Sequence, residues 1–285
     1  MPEQVRLPAA ASGQIEFGNE VVVNRLGFGA MRITGPGIWG EPNDPPEVLR
    51  VLRRAVELGV NLIDTAHAYG PEVSERLIAE ALYRYPDDLI VATKSGFQRS
   101  GPDAWHPDGR PETIRRDCER SLTLLRRDTI DLYQLHTVDP NVPLEESLGT
   151  IVELQAEGKV RMIGVSNVTV DELRRAKGVA EIVSVQNRYS LGDRSSEEVL
   201  ETCERDGIAF LPWYPLAAGG LTRERRLESV AAAHEATAAQ VAIAWLLARS
   251  PVMLPIPGTS SVVHLEENLD AASLRLSEQE LEQLA

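Results

Sequence analysis

Short apolar runs rich in β-branched residues recur along the chain. Between them lie longer stretches whose apolar positions return every three or four residues. The first pattern predicts strands near 25–31, 60–63, 89–93, 130–135, 160–165, 182–186, 208–212 and 252–256. The second predicts helices near 46–58, 72–83, 112–126, 145–157, 169–179, 195–205 and 227–249, with another beginning near 261. Residues 48–59 show the helical spacing well and stop at Gly59. The short, apolar strand runs suit strands covered on both faces. Eight strand–helix units, each of about thirty residues and with no linker between them, predict an α/β fold of the (β/α)8 barrel type. A doubly wound open sheet is the competing architecture.

Outside those units, alternation over 14–23 around Phe17-Gly18-Asn19-Glu20 predicts an N-terminal β-hairpin. Residues 1–13 read as a loose tail, and Ser277 to Leu284 as a short amphipathic helix. Two stretches, 32–45 and 96–111, are expected to be long loops, a length that often serves function. No composition shift marks a boundary, so 1–285 is read as one domain.

Charge narrows the partners. The 285 residues carry a formal net charge of −14, which argues against nucleic acid or an anionic membrane as the main partner. No apolar run approaches the length of a membrane span. The two cysteines, Cys118 and Cys203, form no metal-ligand spacing, and no metal site is expected. They suit a reducing compartment, and the first residues lack a signal-peptide core, so the cytoplasm is the expected location.

In a barrel of this type the C-terminal ends of the strands share one cleft. Polar or aromatic residues stand at successive ends: Asp64, Lys94, His136, Ser166 with Asn167, Gln186 and Trp213. Taken singly, the lysine could be a surface charge, the histidine a structural residue and Ser166 a helix cap. Taken together, with Tyr69 in the turn after Asp64, they suggest proton transfer to an oxygen. A phenol ordinarily keeps its proton to about pH 10, and an adjacent ammonium is expected to ease its loss. Asp64 would hold Lys94, and His136 would orient a carbonyl oxygen. No nucleophile is evident.

Such chemistry needs a hydride donor. Gly27-Phe28-Gly29-Ala30-Met31 begins like a dinucleotide fingerprint, but Arg32 stands where its third glycine belongs. The better phosphate site is 255–261, Pro-Ile-Pro-Gly-Thr-Ser-Ser, where free N–H groups and hydroxyls precede a helix. Residues 217–220, Ala-Ala-Gly-Gly, could approach a pyrophosphate closely. Trp213 could stack on a nicotinamide.

The pieces Leu-Gly-Phe-Gly-Ala-Met, Asp-Thr-Ala-His-Ala-Tyr-Gly, Thr-Lys, Leu-His, Gly-Val-Ser-Asn, Val-Gln-Asn, Trp-Tyr-Pro-Leu and Ile-Pro-Gly-Thr-Ser-Ser follow one another from about residue 21 to 280. In that order the chain resembles the aldo-keto reductases. The resemblance implies a barrel that binds NADPH, with NADH possible, and catalysis by Asp64, Tyr69, Lys94 and His136, Tyr69 being the proton donor. It puts Ser166, Asn167 and Gln186 at the carboxamide, and Trp213 on the ring. Leu216, Gly219 and Leu221 fall at the pyrophosphate, Ser260, Ser261 and His264 at the adenosine phosphate, and Glu267 and Asn268 at adenine. Gly29, Ala30, Met31, Tyr214, Pro215, Gly258 and Thr259 complete the implied cofactor contacts. Where many relatives carry Lys and Arg, this chain has Gly258 and His264, which weakens strict NADPH preference.

Residues 24–40, 81–89 and 257–265 are similar to the bacterial pyridoxal-reductase branch, which makes pyridoxal a candidate among small carbonyl substrates. Trp39, Trp105 and His106 are candidate substrate-lining residues. The expected function is reduction of aldehydes or ketones to alcohols. The alternatives are a nucleotide-retaining regulatory barrel with little turnover and an unrelated barrel isomerase or hydrolase. Oligomeric state is left open.

Overall fold

In a computed structural model, which describes residues 7–18, 21–215 and 225–284, the first strands are the predicted hairpin. Strands β1 (Gln14–Phe17) and β2 (Val21–Asn24) pair antiparallel. The expected turn residues Asn19 and Glu20 lie outside the described residues. Phe17 and Val23 are fully buried among Leu62, Ile90, Leu132 and Met162, so the hairpin closes the end of the barrel where the strands begin. Residues 7–13 depart from the expected loose tail. Pro8–Ser12 form a 3-10 turn whose Ala9 is fully buried and donates its N–H to Leu58 O at 3.1 Å.

The apolar runs become β3 (Phe28–Gly29), β4 (Leu62–Asp64), β5 (Ile90–Ser95), β8 (Ile130–Leu135), β9 (Val160–Ser166), β10 (Ile182–Gln186) and β11 (Ala209–Phe210). They pair in parallel in the order β11-β10-β9-β8-β5-β4-β3. The eighth run, 252–256, is not a regular strand, because Pro255 and Pro257 have no N–H to give a ladder. It still closes the ring. Val252 O accepts from Phe210 N at 2.9 Å, and Leu254 N donates to Phe210 O at 2.8 Å. On the other edge Pro255 O and Pro257 O accept from Gly27 N and Gly29 N. The result is the (β/α)8 barrel.

Helices α1 (Pro45–Glu57), α2 (Val73–Leu82), α3 (Pro111–Leu125), α4 (Leu144–Ala156), α5 (Val170–Lys177) and α6 (Glu197–Asp206) cover the outside. Their apolar faces form two clusters with the outward strand residues, and burying one such side chain stabilises by roughly 1.5–3 kcal/mol. The single helix predicted over 227–249 is two, α7 (Arg225–Ala233) and α8 (Ala238–Arg249), bent by 94°. Thr237 and Gln240 form a capping box that starts α8 afresh. α9 (Val262–Asp270) and α10 (Glu278–Leu284) follow. Among the described residues no single helix is long and apolar enough to cross a membrane.

The expected loop 96–111 carries its own hairpin, β6 (Phe97–Gly101) with β7 (Ala104–Pro107), standing over the C-terminal mouth. The loop 32–45 is folded into short 3-10 turns at Ala30–Ile33 and Pro36–Ile38.

Candidate active site

Side chains of a strand alternate between faces, so every second residue of the barrel strands points inward. Leu62, Ile90, Ala92 and Leu132 belong to the inner core. The next inward step on β4 is Asp64, and on β5 it is Lys94. On β8 it is Gln134, followed by His136. Lys94 Nζ lies 2.8 Å from both carboxylate oxygens of Asp64 and donates to Thr65 O at 2.7 Å. Gln186 Nε2 donates to the other side of Asp64 at 2.8 Å, and Gln134 Nε2 donates to Ser184 Oγ at 3.0 Å. Gly164 makes room for this layer, since a Cβ there would meet Ser184 Oγ at 2.3 Å. Burial pulls the fully buried Lys94 below its ordinary value, and the Asp64 charge opposes that shift.

Tyr69 sits in the turn after β4, almost fully buried. Lys94 Nζ is 5.1 Å from its ring centroid, and the His136 ring meets it edge-on at 5.8 Å. Burial pushes the Tyr69 phenol well above 10, and Asp64 adds to the shift. The expected easing by Lys94 is therefore outweighed, and the phenol holds its proton firmly. Burial, Lys94 and Arg99 together hold His136 well below 6.5, so its ring is neutral at neutral pH and has one N–H to give. Its Nδ1 is buried with no protein partner.

The mouth hairpin adds an aromatic wall. Trp105 stands 6.4 Å from Tyr69 and 6.1 Å from His136, and Phe97 stands 4.9 Å from His136, all edge-on. His106, the next residue on β7, necessarily faces the other way. It is exposed and bonded to Ser100 Oγ at 2.7 Å, so it does not line the centre. Arg99 ties the wall together. Its guanidinium stacks on Trp105 at 3.8 Å, approaches Trp39 at 5.7 Å, and donates to the carbonyls of Gly37, Ile38 and Ala68. Trp39 thus packs through Arg99 at the rim.

Beside Asp64 and Tyr69 opens a cavity of about 220 Å³, lined also by Gly29, Met31, Gln186, Trp213, Tyr214, Pro215 and Gly258. Met31, Tyr214 and Gly258 continue into a groove of about 650 Å³ that reaches Thr259 and Ser260. Ala30 is buried behind it, its carbonyl accepting from Ser74. Trp213 Nε1 donates to Asn167 Oδ1 at 2.8 Å, which fixes the indole. Asn167 Nδ2 donates to His136 O at 2.9 Å, and Ser166 Oγ donates to Gln186 O at 2.7 Å. Asn167 and Ser166 therefore brace the strand ends. The cap of α5 is Thr169, in a capping box with Glu172, so the Ser166 alternative is settled against capping. Leu216, Gly219 and Leu221, with the rest of 216–224, lie outside the described residues.

The start of α9 differs from the expected free donors. Ser261 N donates to Thr259 Oγ1 at 3.1 Å, and Val262 N to Glu47 Oε1 at 3.0 Å. Glu47 thereby brings a carboxylate to this helix end, and the Val262 amide, with Arg50, holds that carboxyl below its usual range. His264 Nδ1 is 2.9 Å from Glu267 Oε2, so these two residues face each other on the surface. Asn268 is buried.

Sequence reading missed Gln134, Arg32, Arg99 and Glu47. Gln134 is detectable as a polar residue two before His136. Arg32, noticed only as a break in a glycine motif, lines both the cavity and the groove. Arg99 and Glu47 meet partners distant in sequence and leave no local sign. Cys118 and Cys203 are free, buried thiols pushed up to about 12 by burial, far from nucleophiles.

A barrel with these side chains at its C-terminal mouth defines a class, and the chain belongs to it: the sequence model of the Aldo/keto reductase family matches residues 25–285. It is 50% identical over 270 residues to an uncharacterized oxidoreductase of Schizosaccharomyces pombe, covering 94% of this chain and 88% of the relative. It is 44% identical over 270 residues to pyridoxine 4-dehydrogenase of Escherichia coli, covering 92% and 94% respectively. Among solved structures, an aldo/keto reductase from Klebsiella pneumoniae in complex with NADP and acetate superposes with a TM-score of 0.82. It shares 28% identity over 95% of this chain and 93% of its own. The family is one of oxidoreductases, and it supports nicotinamide-dependent carbonyl reduction.

Proposed function

We propose that this chain reduces aldehydes or ketones to alcohols with NAD(P)H, and that Tyr69 donates the proton. The observation that carries this reading is the convergence of Tyr69, Lys94, Asp64 and His136 beside a cavity walled by Trp213. The flat indole and the cavity fit a nicotinamide, and the continuing groove fits the rest of a dinucleotide. When bound, that cofactor supplies a hydride to the carbonyl carbon. The chain's own residues handle the oxygen. His136 directs an N–H at it. Tyr69 gives it the phenolic proton; an alkoxide is a stronger base than a phenolate, so even a raised phenol delivers it. Lys94 then stabilises the phenolate through its charge, and Asp64 with Gln186 keeps Lys94 in place. The aromatic wall and the closed barrel floor exclude water.

Pyridoxal leads as substrate. Support comes from the pyridoxine 4-dehydrogenase relative and from the aromatic wall of Phe97 and Trp105, against which a flat ring can pack. For the cofactor we place NADPH before NADH, on the hydroxyls of Thr259, Ser260 and Ser261 and on the NADP-bound structural relative. The test is a titration of the purified chain with NADPH and with NADH. Both should quench protein fluorescence, and absorbance loss with a carbonyl panel that includes pyridoxal should follow. Absence of any fluorescence change would reject the cofactor site.

Glu47 adds a narrower expectation. A carboxylate close to the α9 end repels an added phosphate, so Glu47→Gln should raise NADPH affinity several-fold relative to NADH. The glutamine keeps an acceptor for Val262 N. An unchanged ratio between the two cofactors removes Glu47 as a determinant.

A further inference from the structure

Behind Lys94, on the outer face of the barrel wall, lies a second group of buried charges that the chemistry above leaves unused. His67, two residues before Tyr69 in the same turn, stands between Glu75 of α2 and Asp117 of α3. Its Nδ1 is 3.8 Å from Glu75 Oε2, and its Nε2 is 3.7 Å from Asp117 Oδ1. Both carboxylates are fully buried, and the imidazole is 13% exposed. Nδ1 of His67 and Oε2 of Glu75 have no hydrogen-bond partner. The other carboxylate oxygens are served from the wall: Thr93 Oγ1 donates to Glu75 at 2.6 Å and Ser95 Oγ to Asp117 at 2.8 Å.

A neutral imidazole has one N–H and can answer one carboxylate; only the imidazolium answers both. A buried carboxylate facing an acceptor nitrogen would be costly. Arg116 already bonds Asp117 Oδ1, so Glu75 Oε2 is the oxygen left without a donor, and the imidazolium is the group that sets positive charge between the two buried carboxylates. Lys94 is bonded to Asp64, Arg120 to Glu72, and Arg116 reaches Asp117 but not Glu75. Gln98 donates to Asp117, and Tyr133 and Cys118 are buried neutral groups nearby.

We propose that His67 is a positioning residue whose imidazolium clamps the Tyr69 turn between α2 and α3, so that carbonyl reduction depends on its proton. The turn is anchored to the site at the same residue: His67 N donates to Lys94 O at 3.2 Å, and Glu72 N to His67 O at 3.1 Å. Burial pulls the imidazole down, but Glu75, Asp117 and Glu72 outweigh it, so His67 is held above its ordinary value. With a native value raised above the unfolded one, the clamp is complete below about pH 6.5 and is lost as pH rises through the native value.

The catalytic part of this inference rests on the proposed reductase reading; the test separates the two. Histidine side-chain NMR on the full chain, assigned with His67→Gln, should show His67 protonated above the free-imidazole range. Glu75→Gln should lower that midpoint. Amide exchange over 66–72 should accelerate through the same pH. In turnover, kcat should decline along the same alkaline curve in the native chain, and His67→Gln should flatten that limb while NADH and NADPH binding persists. A His67 midpoint at or below the free value, or an unchanged pH profile in a folded His67→Gln or Glu75→Gln chain, overturns the clamp. A native chain that binds no cofactor contradicts the reductase reading alone, and NMR with exchange still decides the clamp.

Discussion

Tyr69→Phe is expected to lower carbonyl reduction by roughly 10²- to 10⁴-fold, the usual worth of a positioned general acid. The ring remains, so its edge contacts with His136 and Trp105 persist, and the cavity keeps its shape. Cofactor affinity should therefore change little. The loss should appear in kcat and in kcat/KM alike, because the phenolic proton matters only as the oxygen takes it. Steady-state rates with any accepted aldehyde, set beside a fluorescence titration of NADPH, measure both quantities. Activity within a few-fold of the native chain dismisses Tyr69 as the acid.

The second large effect concerns both chemistry and folding. Lys94→Met removes the charge beside the phenol and leaves Asp64 buried opposite a thioether. Breaking a buried pair from one side costs about 3–5 kcal/mol, because the remaining charge loses its partner. Gln186 still donates to Asp64, which keeps the expected cost towards the lower end of that range. Activity should fall at least as far as in Tyr69→Phe. Adding Asp64→Leu to Lys94→Met should restore much of the stability and none of the activity. Urea unfolding of the single and double variants decides the point. A single variant as stable as the native chain means the ion pair does not matter to the fold.

What the sequence made legible has a simple physical origin. In a barrel the strand period of two carries an apolar floor directly into a polar layer, so Ala92 leads to Lys94 and Leu132 to His136. Asp64, Lys94 and His136 could thus be read from strand ends, and Tyr69 from the turn that follows. Pairings set by distance in space were not legible. Glu47 meets Val262 across 215 residues, and Arg99 meets Ile38 across 61. Local chemistry was misread in three places. Prolines turned the eighth run into an irregular closing segment. The Thr237–Gln240 box divided one helical pattern into two. Residues 96–111 look like a loop in sequence because the turn of their hairpin needs Asp103 at positive φ, which residue types do not announce. Trp105 and His106, both candidate lining residues, fall on opposite faces of that hairpin, because neighbours on a strand alternate.

Transfer of a labelled hydride tests the central claim most directly. The native chain, NADPH deuterated at the nicotinamide C4 and pyridoxal or another accepted aldehyde should yield an alcohol with cofactor deuterium on the former carbonyl carbon. Tyr69→Phe should bind the same cofactor and form almost none of that product. An unlabelled alcohol, or equal labelled product from both chains, would contradict the account.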